Sequence, residues 1–189
     1  VLVWHRANPA WLAPALTNRQ NAERILRDHI ESAKRKTAPV IKCWDVVNEA
    51  VHQSSPRPDG LRPTLWLKAL GPDYVPLAYQ MAHAANPSAT LVYNDYGAEY
   101  GDGAGMARQR HILALLERLK AAGAPVHALG LQSHLQCYRP LGGRGFVGFL
   151  QAVRDMGLQV HVTELDCDTT HTPGTAADKQ RAAETDLRT

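Results

Sequence analysis

The sequence is poor in cysteine, with three in 189 residues. Cys43, Cys137 and Cys167 show no CxxC spacing, so neither a disulfide framework nor a zinc ribbon is indicated, although one pair could bridge in an oxidising compartment. No apolar run approaches the length of roughly 20 residues that a membrane-spanning helix needs, so no membrane partner is expected. No charge of one sign dominates: 21 Lys and Arg against 18 Asp and Glu leave a net charge of +3. The densest basic run, Lys34-Arg35-Lys36, falls at a predicted helix end, where cations complement the helix dipole. A nucleic-acid partner is therefore not expected. There is no short internal repeat, no visible signal peptide and no initiator Met. The chain opens on VLVW, which is read as a start lying upstream. What is present is an ordinary apolar content, 44%, in a chain long enough for one domain with a real core.

Two stretches share a pattern. Ile41 to Ala50, IKCWDVVNEA, is an apolar run broken by Asp45 that stops at Asn48-Glu49. Leu158 to Asp166, LQVHVTELD, is a β-branched run that ends on Glu164 and Asp166. Both are read as buried strands whose last residues carry carboxylates. In parallel α/β folds, ligands and chemistry sit at the carboxyl ends of strands.

The rest of the chain alternates in the same way. Val1 to His5 reads as a strand ending in Trp4-His5. Thr17 to Gln20 fits a capping box with Thr17 as the cap, and apolar residues from Ala22 to Ala33 recur at helical spacing. Thr37 to Pro39 ends that helix. Trp66 to Leu70 and Tyr74 to Ala85 read as helices, broken by Gly71-Pro72 and stopped by Asn86-Pro87. Ala89 to Tyr93 is a strand. Gly101 to Gly105 reads as a loop before a helix from Met106 to Ala122, with Gly123 at its C-cap. Val126 to Leu131 is a strand, Gly145 to Met156 a helix, and Ala176 to Leu187 a final helix.

Polar residues follow every strand: His5, Glu49, Asn94, His134 and Glu164, spaced 30 to 45 residues apart. That spacing suits βα units of about 30 residues or more. Strict alternation implies a parallel sheet, closed as a barrel or doubly wound. Polar groups at every strand end favour the barrel, where all strands converge on one mouth. An eight-stranded barrel takes roughly 250 residues, so this chain supplies about five strands.

Five ordered motifs carry a family resemblance: Leu2-Val3-Trp4-His5, Trp44 to Ala50 (WDVVNEA), Asn94-Asp95-Tyr96, Gln132-Ser133-His134-Leu135 and Thr163-Glu164-Leu165-Asp166. Together they resemble glycoside hydrolase family 10, mostly retaining endo-β-1,4-xylanases. Asp59 to Arg62 and Leu70 to Tyr74 match connecting segments of that family. The resemblance implies a TIM (β/α)8 barrel of which residues 1–189 supply strands three to seven, the first two strands and the last being absent. It implies xylan or xylo-oligosaccharide as substrate, no cofactor and no metal, a monomer, and a secreted or periplasmic enzyme. Gly97 stands where the family often has Asn.

By position and by resemblance, Glu49 is the acid/base and Glu164 the nucleophile. Retaining cleavage needs two carboxyl groups about 5–5.5 Å apart, one protonated and one ionised. His134 is expected to orient Glu164, with Asp166 on its other ring nitrogen. Asn48 is expected to donate to a sugar hydroxyl. Gln132 and Tyr96 are expected to line the site, Trp4 to face a pyranose ring, and His5 to bond a hydroxyl. Trp44 is read as core. The competing readings are a structural ion pair at the barrel mouth, a truncated non-catalytic segment, hydrolysis of another β-1,4-glycan, and a metal-dependent hydrolase using His134, His161, Glu164 and Asp166. Against the last, His161 and Glu164 lie three apart on a strand and face opposite ways.

Overall fold

The computed structural model describes residues 1–37 and 40–186. Its strands, in chain order, are β1 (Cys43–Asn48), β2 (Thr90–Asp95), β3 (Ala128–Leu131), β4 (His134–Gln136), β5 (Gln159–Val162) and β6 (Asp166–Asp168). Four of them form one parallel sheet in the order β1-β2-β3-β5. Neighbours in space thus follow the chain without a reversal. A doubly wound sheet reverses its strand order at a switch point, so the order here is that of a barrel wall.

The predicted first strand is present only as a bridge from Val3 to Val47. It is tied by Leu2 N–H to Asp45 O at 2.8 Å and Asn48 N–H to Val3 O at 2.9 Å. It has β1 on one side, so half of its ladder is made. The Leu158 run, expected to be a buried strand, is instead an edge. With β3 as its single sheet neighbour among the described residues, β5 leaves Val160 38% and Val162 61% exposed. The pair β4 and β6, a second parallel sheet with His134 opposite Asp166, lies outside the expected set of strands.

Between the strands run α1 (Leu12–Ala15), α2 (Arg19–Thr37), α3 (Leu65–Leu70), α4 (Tyr74–Ala85), α5 (Gly103–Ala121), α6 (Gly143–Asp155) and α7 (Ala176–Asp186). Several limits differ from expectation for local reasons. Asn18, not Thr17, caps α2, because its Oδ1 accepts from Asn21 N–H at 2.8 Å. Asp102 accepts from Gly105 N–H at 2.8 Å, so α5 begins inside the glycine-rich stretch. Ala38, Pro39 and Leu187, which the sequence placed at helix ends, lie outside the described residues.

The helices pack on the sheet through a continuous apolar core. Leu26, Ile30, Val46, Tyr79, Leu91, Ile112, Leu116 and Leu129 have no exposed surface. Each such side chain contributes about 1.5–3 kcal/mol relative to the exposed state. Trp44 is buried as expected. Lys34 is buried as well. Its ammonium donates to the carbonyls of Ala82 and Asn86, the free end of α4, so one of the three basic residues at the end of α2 closes a different helix.

Candidate active site

The carboxyl ends of the parallel strands share one rim, and each rim residue hangs from the end of a neighbouring strand. Glu49 N–H donates to Asn94 O at 2.9 Å, Gln132 N–H to Asp95 O at 2.9 Å and Glu164 N–H to Gln132 O at 3.1 Å. A register shift between Asp45 and Val47 puts an extra residue into β1 and sets Asn48 opposite Asn94. Bulges of this kind re-aim side chains. Glu49 follows with φ +54° and Ser133, after β3, with φ +57°. Both lie in the left-handed region that non-glycine residues seldom adopt, and such positions concentrate at functional sites.

A chain of side-chain amides joins Glu49 to Glu164. Asn94 Nδ2 donates to Glu164 Oε1 at 2.8 Å and to Asn48 Oδ1 at 3.1 Å. Gln132 Nε2 donates to Asn48 Oδ1 at 3.0 Å and to Glu49 Oε1 at 3.3 Å. Asn48 Nδ2 completes the link to Glu49 Oε1 at 3.4 Å. Turned over, the Asn48 amide would accept from the Trp4 indole N–H at 3.2 Å. Its NH2 would then reach Asn94 O at 3.1 Å, but it would also stand against the amide nitrogens of Gln132 at 3.0 Å and Asn94 at 3.1 Å, two donor–donor contacts, so the orientation with Oδ1 accepting keeps more of the side-chain network. Asn94 is fully buried, and its Oδ1 accepts from Thr163 Oγ1 at 2.7 Å. Gly130 makes this possible, because a Cβ there would overlap Asn94 Oδ1.

The two carboxyl groups have different surroundings. The Glu49 side chain is 11% exposed and that of Glu164 is 39% exposed. Glu49 Oε2 lies 3.7 Å from His5 Nδ1 and 3.9 Å from the Arg62 guanidinium. Arg62 also donates to Glu49 O at 3.0 Å and to Tyr96 OH at 3.2 Å. Burial first, then the charge of Arg62, hold the His5 imidazole below its usual range against the pull of Glu49. Beneath Tyr96 lies a buried pair: Arg108 donates to Asp95 at 2.9 Å, and its guanidinium stands 3.9 Å over the Tyr96 ring. Burial raises the Asp95 carboxyl to about 6, against the opposing effect of Arg108.

On the Glu164 side, His134 Nε2 stands 3.2 Å from Glu164 Oε2 and Nδ1 stands 3.0 Å from Asp166 Oδ1. Burial disfavours charge on this ring, but the Asp166 and Glu164 carboxylates outweigh it, and the imidazole is held above its usual range. Both ring nitrogens face acceptors, so the imidazolium is the form that satisfies both. A pocket of about 160 Å³ lined by Tyr96, Tyr100, His134, Gln136 and Arg139 opens beside it.

The residues singled out from sequence are thus brought together. Asn48, Glu49, Gln132, Glu164, His134 and Asp166 lie on one hydrogen-bonded path. His5 faces Glu49, Tyr96 is reached through Arg62, and Trp4 lies beside the Asn48 amide. His161 bonds Gln159 at 3.1 Å and does not join His134, Glu164 and Asp166. Among the described residues no group of three or more His, Cys, Asp or Glu is arranged to hold a metal ion. Asn94, Thr163 and Arg62 were not expected as site residues. Asn94 belonged to the strand-end pattern and could have been found there, whereas Arg62, though it closes the family-like segment Asp59 to Arg62, stands in a loop away from any strand end. Cys137 and Cys167 form a disulfide, and Cys43 is an exposed free thiol.

Comparison with known proteins follows the same lines. The profile of glycosyl hydrolase family 10 matches residues 1–188. Endo-1,4-beta-xylanase B of Thermotoga neapolitana is 33% identical over 165 residues, covering 87% of this chain and 45% of its own. The crystal structure of native xylanase 10B from Thermotoga maritima superposes with a TM-score of 0.85 at 31% identity, over 96% of this chain and 53% of that one. Xylanase 10B from Thermotoga petrophila, solved in complex with xylobiose, gives 0.83 at 30% identity, over 96% and 53%. The chain therefore spans about half the length of these relatives.

Proposed function

The chain belongs to glycosyl hydrolase family 10, and from that premise we propose that it forms strands three to seven of the catalytic barrel of a retaining endo-1,4-β-xylanase. The observation that carries this reading is the amide bridge. Asn48, Gln132 and Asn94 tie Glu49 to Glu164 across the rim, so the two carboxyl groups are held as one unit in unlike surroundings.

In this reading Glu164 attacks the anomeric carbon while Glu49 gives a proton to the departing glycosidic oxygen. A glycosyl ester on Glu164 results. Glu49, now ionised, takes a proton from water as the water attacks the same carbon, and the ester bond breaks. His134 and Asp166 hold Glu164 in line, while Asn94 donates to its other oxygen. Asn48 and Gln132 face the sugar hydroxyls, and Trp4, His5 and Tyr96 line the approach. The xylobiose complex of the Thermotoga petrophila relative supports a xylo-oligosaccharide as occupant. The Cys137–Cys167 bond suits a secreted or periplasmic protein, because disulfides persist in oxidising compartments.

A second reading has its own support. The exposed β5 edge and the coverage of about half of each relative favour a segment that does not turn over substrate alone. Xylan hydrolysis by the isolated 189-residue chain separates the two.

Azide rescue of Glu49→Ala and Glu164→Ala, with an activated aryl xyloside, tests the roles. Glu164→Ala should yield the inverted glycosyl azide and Glu49→Ala the retained one. The same anomer from both overturns the assignment.

A further inference from the structure

The strands β4 and β6 carry His134 and Asp166, yet little holds the two strands together. Each is three residues long, and among the described residues they pair only with each other. An isolated two-stranded sheet is marginal in water. The side chains of His134 and Asp166 are 44% and 64% exposed, and ion pairs this open are worth little. The two strands are not equally anchored. Tyr100 OH accepts from Gln136 N–H at 2.7 Å and donates to His134 O at 3.1 Å, which fixes β4 from below. In β6, Asp166 N–H reaches Ser133 O at 3.2 Å, and Asp168 O accepts from Cys137 N–H at 3.2 Å. Both contacts lead back to β4 or to the residues beside it.

One covalent link spans this pair. Cys137 directly follows β4, and Cys167 is the middle residue of β6, next to Asp166. Their Cα atoms are 6.4 Å apart, and the loop they close, with a sequence separation of 30, contains α6, β5 and Glu164. We propose that the Cys137–Cys167 disulfide is a positioning clamp for Glu164. It fastens β6 to a β4 that Tyr100 already holds, and so keeps His134 and Asp166 in register beside the carboxylate. The proposal rests on the reading of Glu164 as nucleophile, and the cysteines themselves touch no substrate in it.

The test compares the oxidised chain, the chain reduced by a small dithiol, and Cys137→Ser/Cys167→Ser. Reduction gives two cysteine thiols while the dithiol closes to its own disulfide, two electrons and two protons passing to the protein. The readout is the titration of the histidine ring protons by NMR, which needs no turnover. Asp166 and Glu164 face His134 directly, and Arg108 and Arg139 share its pocket. His127, which accepts from Leu91 N–H at 2.9 Å away from the clamp, is the internal control. The expected result is a His134 titration that moves down toward the free imidazole, in both the reduced chain and the double variant, with His127 unmoved. An unmoved His134 overturns the proposal. So does a shift of both histidines together, which would make the bond a staple of the whole fold. Where a preparation hydrolyses an aryl xylobioside, losing the bond should lower kcat up to about a hundredfold with KM nearly held. Unchanged kcat overturns the clamp without touching the two-glutamate assignment, which azide rescue tests separately.

Discussion

Asn94→Asp offers the sharpest test of the amide bridge. It preserves the shape of the side chain but replaces the nitrogen that donates to Glu164 Oε1 at 2.8 Å and to Asn48 Oδ1 at 3.1 Å. Three oxygens then converge on one fully buried point. An uncompensated buried charge costs about 3–5 kcal/mol. The Glu164 side chain is 39% exposed, so water screens its share, and a loss of about 3 kcal/mol at neutral pH is expected. The introduced carboxyl can escape by binding a proton, after which it donates to Glu164 again. Burial and a like charge both raise its folded pKa above the unfolded aspartate value of about 3.9. The variant's stability is therefore fullest below that value and is lost as pH rises through the folded one. Asn94→Ala removes the same donor without adding charge and should cost about 1–3 kcal/mol, with a weaker dependence on pH than Asn94→Asp. Urea unfolding, followed by tryptophan fluorescence between about pH 4 and pH 8, reads both variants. For a chain of this size, about 3 kcal/mol corresponds to a Tm lower by roughly 6–12 °C. An Asn94→Asp chain as stable as the parent at neutral pH refutes the bridge, as does a deficit that acid fails to relieve.

Two further outcomes follow from the helix ends. Asn18→Ala should cost about 1 kcal/mol by removing the α2 cap, and Thr17→Ala less than about half of that, by thermal unfolding. The reverse order would restore the capping box read from sequence. Burial lowers the pKa of Lys34, so the folded chain releases its proton before the unfolded chain does. Stability should therefore rise with pH from that lowered value up to about 10.4, the unfolded one. Lys34→Met should abolish this rise, and a persistent slope in that variant would assign it to another group.

Local pattern made much of this molecule legible. Apolar runs gave β1, β2 and β3, and helical spacing gave α2 to α7 to within a few residues, because each element buries one face against the next. The same pattern misjudged β5, since a β-branched run tells of strand tendency and not of how many neighbours the strand has. The site was readable where a functional group stood in a strand-end position, as with Glu49, His134 and Glu164. Arg62 was not, because its role comes from a loop that folds back over Glu49. Pairing of Cys137 with Cys167 was equally out of reach, since an odd count of three fixes no partner.

The left-handed backbone at Glu49 has a consequence for anyone improving this protein. An L-residue there pays roughly 1–2 kcal/mol that glycine avoids. A screen that rewards heat tolerance alone is drawn toward glycine or asparagine at that position. It would collect sturdier proteins that have discarded the carboxyl we propose as the acid, and the gain would register as improvement until the proposed reaction was assayed.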